Sequence, residues 1–252
     1  MKIMSFNVLC YGKDEHALEH RKPLVIRCIR DEMPDVLGVQ ESHREWMDTL
    51  CNALPEYAFV GVGRDDGKQK GEYSPVFYRR DKYTLLDSGT FWLSETPDTP
   101  SFGWNAACRR VCSFALLREK DSGKTFAAVN THLDHVSEQA RVEGIRLVVE
   151  KLRSFGDIPV LCTGDFNTDE GSEAYKIMTD DFMADAKYLA ENSDSGCTYH
   201  GFGQEGCETW SPIDFIFVKK DAVQVQTYRI CRERIDGQMP SDHYAVVCDV
   251  TI

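Results

Sequence analysis

Six polar positions in this chain of 252 residues stand at or near the ends of apolar runs. Asn7 closes Ile3-Met4-Ser5-Phe6, and Glu41 follows Val36-Leu37-Gly38-Val39-Gln40. His132 follows Ala127-Ala128-Val129-Asn130-Thr131. Asp165 and Asn167 follow Val160-Leu161-Cys162, within Gly164-Asp165-Phe166-Asn167. Asp214 stands near the start of Ile213-Asp214-Phe215-Ile216-Phe217, and Ser241-Asp242-His243 leads into the last run. Loops on a rigid sheet can aim such side chains into one cleft. Carboxylates, carboxamides and imidazoles are the groups that hold a hard divalent cation and move protons. Each alone would read as a turn former or a structural donor. The ordered set, each member between an apolar run and a turn, argues for shared chemistry.

A framework must bring these residues together. Alternating or apolar β-rich runs are expected at Ile3–Val8, Val36–Gln40, Tyr57–Val62, Val76–Tyr78, Thr84–Leu93, Val111–Arg118 and Thr125–Thr131. Further runs lie at Pro159–Thr163, Asp214–Val218, Val223–Ile230 and Tyr244–Ile252. Helical periodicity falls at His16–Glu32, Arg44–Leu54, Ser137–Ser154 and Ser172–Met178. In the third, Val142, Ile145, Val149 and Leu152 make one apolar stripe, with Ser137 as its cap. Helices and strands alternate at both ends and strands meander in the middle, which suggests an α/β arrangement of mixed sheets covered by helices. No repeat, low-complexity tract or linker interrupts the chain, so residues 1–252 read as one domain.

Composition narrows the function classes. The chain is 42% hydrophobic and 28% charged, ordinary for a globular protein and unlike a disordered one. No apolar run approaches a membrane span, and the first residues alternate like a strand, so a cytoplasmic location is expected. Lysine and arginine number 29 against 41 aspartate and glutamate, a net charge of −12. That charge disfavours a sequence-indifferent grip on long double-stranded nucleic acid. It leaves phosphate substrates open, because a bound divalent cation turns the local field positive. The ten cysteines contain no C-x-x-C pair and no zinc-like spacing. They read as reduced thiols, with Cys108 and Cys112 the one pair to examine for a disulfide.

The series Ser5-Phe6-Asn7, Gln40-Glu41, Thr131-His132-Leu133, Gly164-Asp165-Phe166-Asn167, Ile213-Asp214-Phe215-Ile216 and Ser241-Asp242-His243 closely resembles the endonuclease/exonuclease/phosphatase superfamily. The motifs span the chain in the expected order. The resemblance implies a DNase I-like fold, a four-layer sandwich of two mixed β-sheets flanked by helices. It also implies a divalent-metal-dependent hydrolase that cleaves a phosphate ester by in-line attack of water. A negatively charged phosphoryl group repels a nucleophile, so a cation on its oxygens is required. Magnesium, with manganese as a substitute, suits a site of few carboxylates. Glu41 is then the principal ligand, Asn7 completes or orients the metal shell, and Asp242 supports that ion or a second one. His243 contacts the phosphate with Asp214 holding its imidazole, while Asp165 orients or deprotonates the water and Asn167 donates to a phosphoryl oxygen. His132 faces His243 across the phosphate, with Glu72 placed by family analogy to orient it.

Some residues keep two readings. Either Arg109 or Arg110 fills the family's basic position as a phosphate clamp. Asp134 and His135 are extra ligands or a solvated turn. Trp104 and Trp210 stack a base or sugar, or plug a small core. The substrate class stays open among nucleic-acid ends or single strands, lipid head groups and sugar or inositol phosphates. The stretch Leu161–Glu170 departs from the inositol polyphosphate phosphatase motif, lacking its tryptophan before the Gly-Asp-x-Asn core and its arginine after it. A nuclease is one alternative and a non-catalytic binding module on the same fold another. The second would lack a metal carboxylate, the phosphate histidine or the water-positioning aspartate, and all three are present. A monomer is expected.

Overall fold

The computed structural model describes all residues from Met1 to Ile252. Thirteen strands are present: β1 (Lys2–Asn7), β2 (Val36–Gln40), β3 (Tyr57–Val60), β4 (Val76–Arg79), β5 (Tyr83–Trp92), β6 (Val111–Glu119), β7 (Thr125–His132), β8 (Val160–Asp165), β9 (Met183–Asp185), β10 (Asn192–Ser193), β11 (Asp214–Lys219), β12 (Gln224–Cys231) and β13 (Ala245–Thr251). Five helices accompany them: α1 (Leu18–Glu32), α2 (Arg44–Ala53), α3 (Glu138–Ser154), α4 (Glu173–Thr179) and α5 (Ala186–Leu189).

The strands form a seven-stranded sheet, ordered β10-β12-β13-β1-β2-β4-β3, and a six-stranded sheet, ordered β5-β6-β7-β8-β11-β9. Each sheet has a parallel pair near its middle, β1 with β2 and β7 with β8, and otherwise mostly antiparallel neighbours. β1 and β2 are buried along almost their whole length, as parallel strands covered on both faces must be. One apolar cluster, including Ile3, Val36, Phe126, Leu161, Ile216 and Val246, fills the space between the sheets. A second lies between the six-stranded sheet and α3 and α4, and a third between the seven-stranded sheet and α1 and α2. The result is the expected four-layer sandwich of mixed sheets flanked by helices.

Every strand run and helix expected from the pattern is found, with ends displaced by one or two residues. Val62 lies outside β3, and His16 belongs to a short 3-10 turn before α1. On α3 the buried stripe runs through Val148, and Val149 is only partly buried. Ser137 caps that helix, its Oγ accepting the Ala140 N–H at 3.1 Å. Cys108 and Cys112 are both free thiols. No helix is long and apolar enough to cross a membrane.

Beneath one edge of the sandwich the apolar interior gives way to a polar bridge between the sheets. Gln40 Nε2 donates to Ser5 Oγ and Asn130 Oδ1, at 3.1 and 2.7 Å. Asn130 Nδ2 donates to the carbonyls of Val39 and Pro75, and Thr163 Oγ1 lies 3.0 Å from Asn130 Oδ1. Such a bridge fixes the relative position of the sheets because few other arrangements satisfy it. It requires close approach at Gly38, where a Cβ would stand 2.0 Å from Thr163 Oγ1.

Candidate active site

Register brings the candidate side chains to one edge. Across the six-stranded sheet His132 pairs with Asp165, and Asp165 with Asp214, so three polar residues form one row. In the facing sheet Asn7 pairs with Gln40, and the chain turns sharply at Glu41. Glu41 takes a φ of +59° and Asn167 one of +47°, left-handed conformations that cost a non-glycine residue energy and recur at functional sites. Asp242 and His243 precede β13, which lies antiparallel to β1.

Asn7, fully buried, joins the two groups. Its Nδ2 lies 3.0 Å from Glu41 Oε1, 2.8 Å from Asp165 Oδ2 and 3.5 Å from His243 Nε2. Its Oδ1 accepts the Leu9 N–H at 3.0 Å, which fixes the amide's orientation. Asn7 therefore presents N–H to the carboxylates. In this orientation Asn7 turns its N–H groups, not its oxygen, toward the cluster, as an orienting residue would.

His243 Nδ1 lies 2.8 Å from Asp214 Oδ2, and its Nε2 points toward Asp165 Oδ2 at 3.8 Å. Burial opposes the charge on His243, yet Asp214, then Asp165 and Asp242, raise its pKa to about 10. His243 is thus an imidazolium at neutral pH. His132 is the opposite case. Burial and then Arg110 hold its pKa well below the usual imidazole value, so it is neutral. Its Nε2 lies 3.0 Å from Asn167 Nδ2 and 3.4 Å from Asp165 Oδ2. Asp165 is pushed up to about 7 by burial and Asp214, against the pull of His243 and the Asn7 amide.

Glu41 behaves differently from its neighbours. Burial works against its ionisation, but the Cys10 N–H at 2.9 Å and the Asn7 amide hold it below the ordinary carboxylate range. Asp242 is raised by burial and by Glu41, with His243 pulling the other way. One ligand atom each from Glu41, His132 and Asp165 lie within 4.8 Å of one another. This cluster, with Asp242 beside Glu41, is rich in hard oxygen donors and fits a divalent cation of the magnesium type.

A cavity of about 390 Å³ opens over these groups, lined by Glu41, Glu72, His132, Asp165, Asn167, Asp242 and His243. The two arginines stand differently toward it. Arg110 lines it and is 6% exposed, with Nη2 3.2 Å from His135 Nδ1 and with Nε and Nη1 lacking hydrogen-bond partners. Arg109 turns away onto Phe102 and Asp65. Glu72 does not reach His132, whose Nδ1 has no partner; it pairs with Arg64 at 2.6 Å. Asp134 is a loop clamp, neither ligand nor solvated: it is buried and accepts the N–H groups of Ala107, Cys108, Val136 and Ser137. His135 is exposed at the cavity wall.

Trp210 stacks on Tyr199 at 5.5 Å, and Tyr199 in turn meets His243 at 5.0 Å, so Trp210 borders the cavity through its neighbour. Trp104 stays outside the lining and covers the start of α3, its carbonyl accepting the Ser137 hydroxyl. Sequence reasoning missed Arg64 and Tyr199. Neither ends an apolar run; Tyr199 bridges His243 only through tertiary pairing.

The family model for endonuclease/exonuclease/phosphatase proteins matches residues 4–243. The chain belongs to that family. A structure of an endonuclease/exonuclease/phosphatase from Bacteroides vulgatus is 39% identical with a TM-score of 0.94, covering all of this chain and 98% of its own. A mannosyl-6-phosphatase from Bacteroides thetaiotaomicron is 33% identical with a TM-score of 0.93, and the match covers 100% of both chains. Drosophila melanogaster nocturnin is 28% identical over 92% of this chain, which spans only 41% of that protein. The DNase I-like architecture follows from these likenesses as it does from the sheets, and family members are hydrolases of phosphate esters.

Proposed function

We propose that this protein is a magnesium-dependent phosphoesterase whose substrate is a compact phosphate monoester on a sugar. The convergence of Glu41, Asp165 and His243 around the Asn7 amide carries the reading. Glu41 and Asp242 would hold the cation, which supplies charge neutralisation at the phosphoryl oxygens. Asp165, with its pKa near neutrality, takes a proton from the attacking water. The water oxygen bonds phosphorus as the ester P–O bond opens opposite, the sugar oxygen leaving with that electron pair and taking a proton from solvent. Imidazolium His243, held by Asp214, donates a hydrogen bond to a phosphoryl oxygen. On the other side Asn167 Nδ2, which meets His132 Nε2 and Leu133 O, would exchange one of these partners for a second phosphoryl oxygen, and Arg110 offers its unpartnered N–H groups. The full-length likeness to a mannosyl-6-phosphatase favours a sugar monoester, and the charge of −12 weighs against a long polyanion.

The test compares release of inorganic phosphate from hexose 6-phosphates with cleavage of bis-(p-nitrophenyl) phosphate and of single-stranded oligonucleotides. Magnesium-dependent turnover of the hexose phosphates is expected, lost on chelation and reduced about 10²-fold or more in Glu41→Gln. Turnover indifferent to both would end the metal mechanism. Exclusive cleavage of oligonucleotides would replace the sugar substrate with a nuclease reading.

A further inference from the structure

Arg21 on α1 is 1% exposed, and no carboxylate lies within 4.0 Å of its guanidinium. Its partners are main-chain carbonyls. Nη1 donates to Val8 O at 2.6 Å and reaches Pro240 O at 3.4 Å, Nη2 donates to Leu9 O at 2.9 Å, and Nε to His16 O at 2.7 Å. The guanidinium also lies over the Trp46 ring at 5.6 Å, and Trp46 Nε1 donates to the same Leu9 carbonyl at 3.0 Å. Burying an ion without a close counter-charge is costly. An apolar residue would pack this helix face at no such cost.

The chain beyond each carbonyl shows what the cost supports. Val8 and Leu9 follow Asn7, and the next amide, Cys10 N–H, is the donor to Glu41 Oε2. Leu9 N–H fixes the Asn7 amide. Pro240 precedes Ser241, Asp242 and His243, and Ser241 Oγ donates to Asn7 O at 2.7 Å. Burial works against the charge of Arg21, while Asp242 and Glu41 are the acidic groups that favour it. One buried fork therefore ties the loop that shapes Asn7 and Glu41 to the loop that carries Asp242 and His243.

We infer that Arg21 is a positioning residue, which holds the two loops of the metal and phosphate groups as one unit without touching either ligand. The inference rests on the metal-dependent phosphoesterase reading. Lysine keeps the charge but is a point donor that cannot fork to several carbonyls, so Arg21→Lys separates charge from geometry.

Magnesium binding, read by titration calorimetry independently of turnover, is expected to weaken about tenfold or more in Arg21→Lys and Arg21→Gln. Ile29→Ala, in the core on the same helix, controls for lost stability and should bind magnesium like the parent. A folded Arg21→Gln whose affinity stays within about twofold of the parent, or falls no further than that of Ile29→Ala, overturns the inference. Amide hydrogen exchange on the unmutated protein needs no variant to fold. The Leu9, Cys10, His243 and Tyr244 amides should open in one event of common free energy, and separate opening of the two segments would overturn it. A parent that binds no magnesium but shows the common opening refutes the proposed function while leaving the clamp intact.

Discussion

The histidine pair shows how little chemistry residue type alone specifies. His132 and His243 both flank Asp165, yet one is held neutral and the other charged. The difference is their other neighbours, Arg110 for the first and Asp214 for the second. On the proposed mechanism the alkaline limit of activity belongs to His243 and the acid limit to Asp165. Activity should rise with pH toward about 7 as Asp165 loses its proton, and persist until His243 loses its own near 10. Asp214→Asn removes the main support for the imidazolium, so the His243 pKa falls and the alkaline limb moves to lower pH. A drop in kcat of about 10²-fold at neutral pH is expected. A pH–kcat/KM profile for the variant checks this, and an unmoved alkaline limb would remove His243 from its proposed role. Asp165 and His243 were legible because Gly-Asp-Phe-Asn and Ser-Asp-His follow or lead into apolar runs. Arg21 was not, since a lone arginine in a helical pattern reads as a solvated face until its partners are seen. The Asn7 orientation was hidden for a related reason: only the Leu9 N–H decides which end of the amide meets the carboxylates.

Strands carried most of the legible information at the level of elements. β1, β2, β7, β8, β11 and β13 are long apolar runs with a polar residue near one end, so pattern alone located both framework and site. β9, β10 and α5 have three, two and four residues, too few for any periodicity to register. What the pattern could not give is how the two sheets stack, and that depends on Gly38. In β2, a two-sided buried strand, glycine looks like a weakness. Its place is explained by Thr163 Oγ1 and Asn130 Oδ1, which a Cβ would meet at 2.0 and 2.6 Å. Gly38→Ala must push the sheets apart or break the Gln40–Asn130–Thr163 bridge directly below the site. A loss of about 2–3 kcal/mol in urea unfolding is expected, and activity should fall further than the folded fraction does. A variant as stable and active as the parent would mean the bridge does not set the sheet spacing.

At the scale of the whole molecule, charge supports the proposal of a small substrate over a polymeric one. The net value of −12 coexists with Arg64 and Arg110 in the cavity lining and Arg109 turned away from it. Arg64 faces Glu72 and Arg109 faces Asp65, while Arg110 lies 3.8 Å from Asp134 but keeps Nε and Nη1 without hydrogen-bond partners. The cavity wall thus offers directed N–H groups without an extended positive track, and a small anion approaches against a repulsive long-range field. Screening weakens that field, with a Debye length that falls from tens of ångströms at low salt to about 8 Å at physiological ionic strength. For a hexose phosphate, kcat/KM should therefore hold steady or rise between about 20 and about 150 mM salt at fixed free magnesium. A protein that grips several backbone phosphates behaves in the opposite way, losing affinity steeply as counterion release becomes less favourable. Steady-state kinetics across that range, run in parallel on a hexose 6-phosphate and a single-stranded oligonucleotide, separate the two. A steep fall in kcat/KM with salt for the oligonucleotide, alongside turnover faster than that of the sugar, would reveal a phosphate-binding track formed only when the substrate binds.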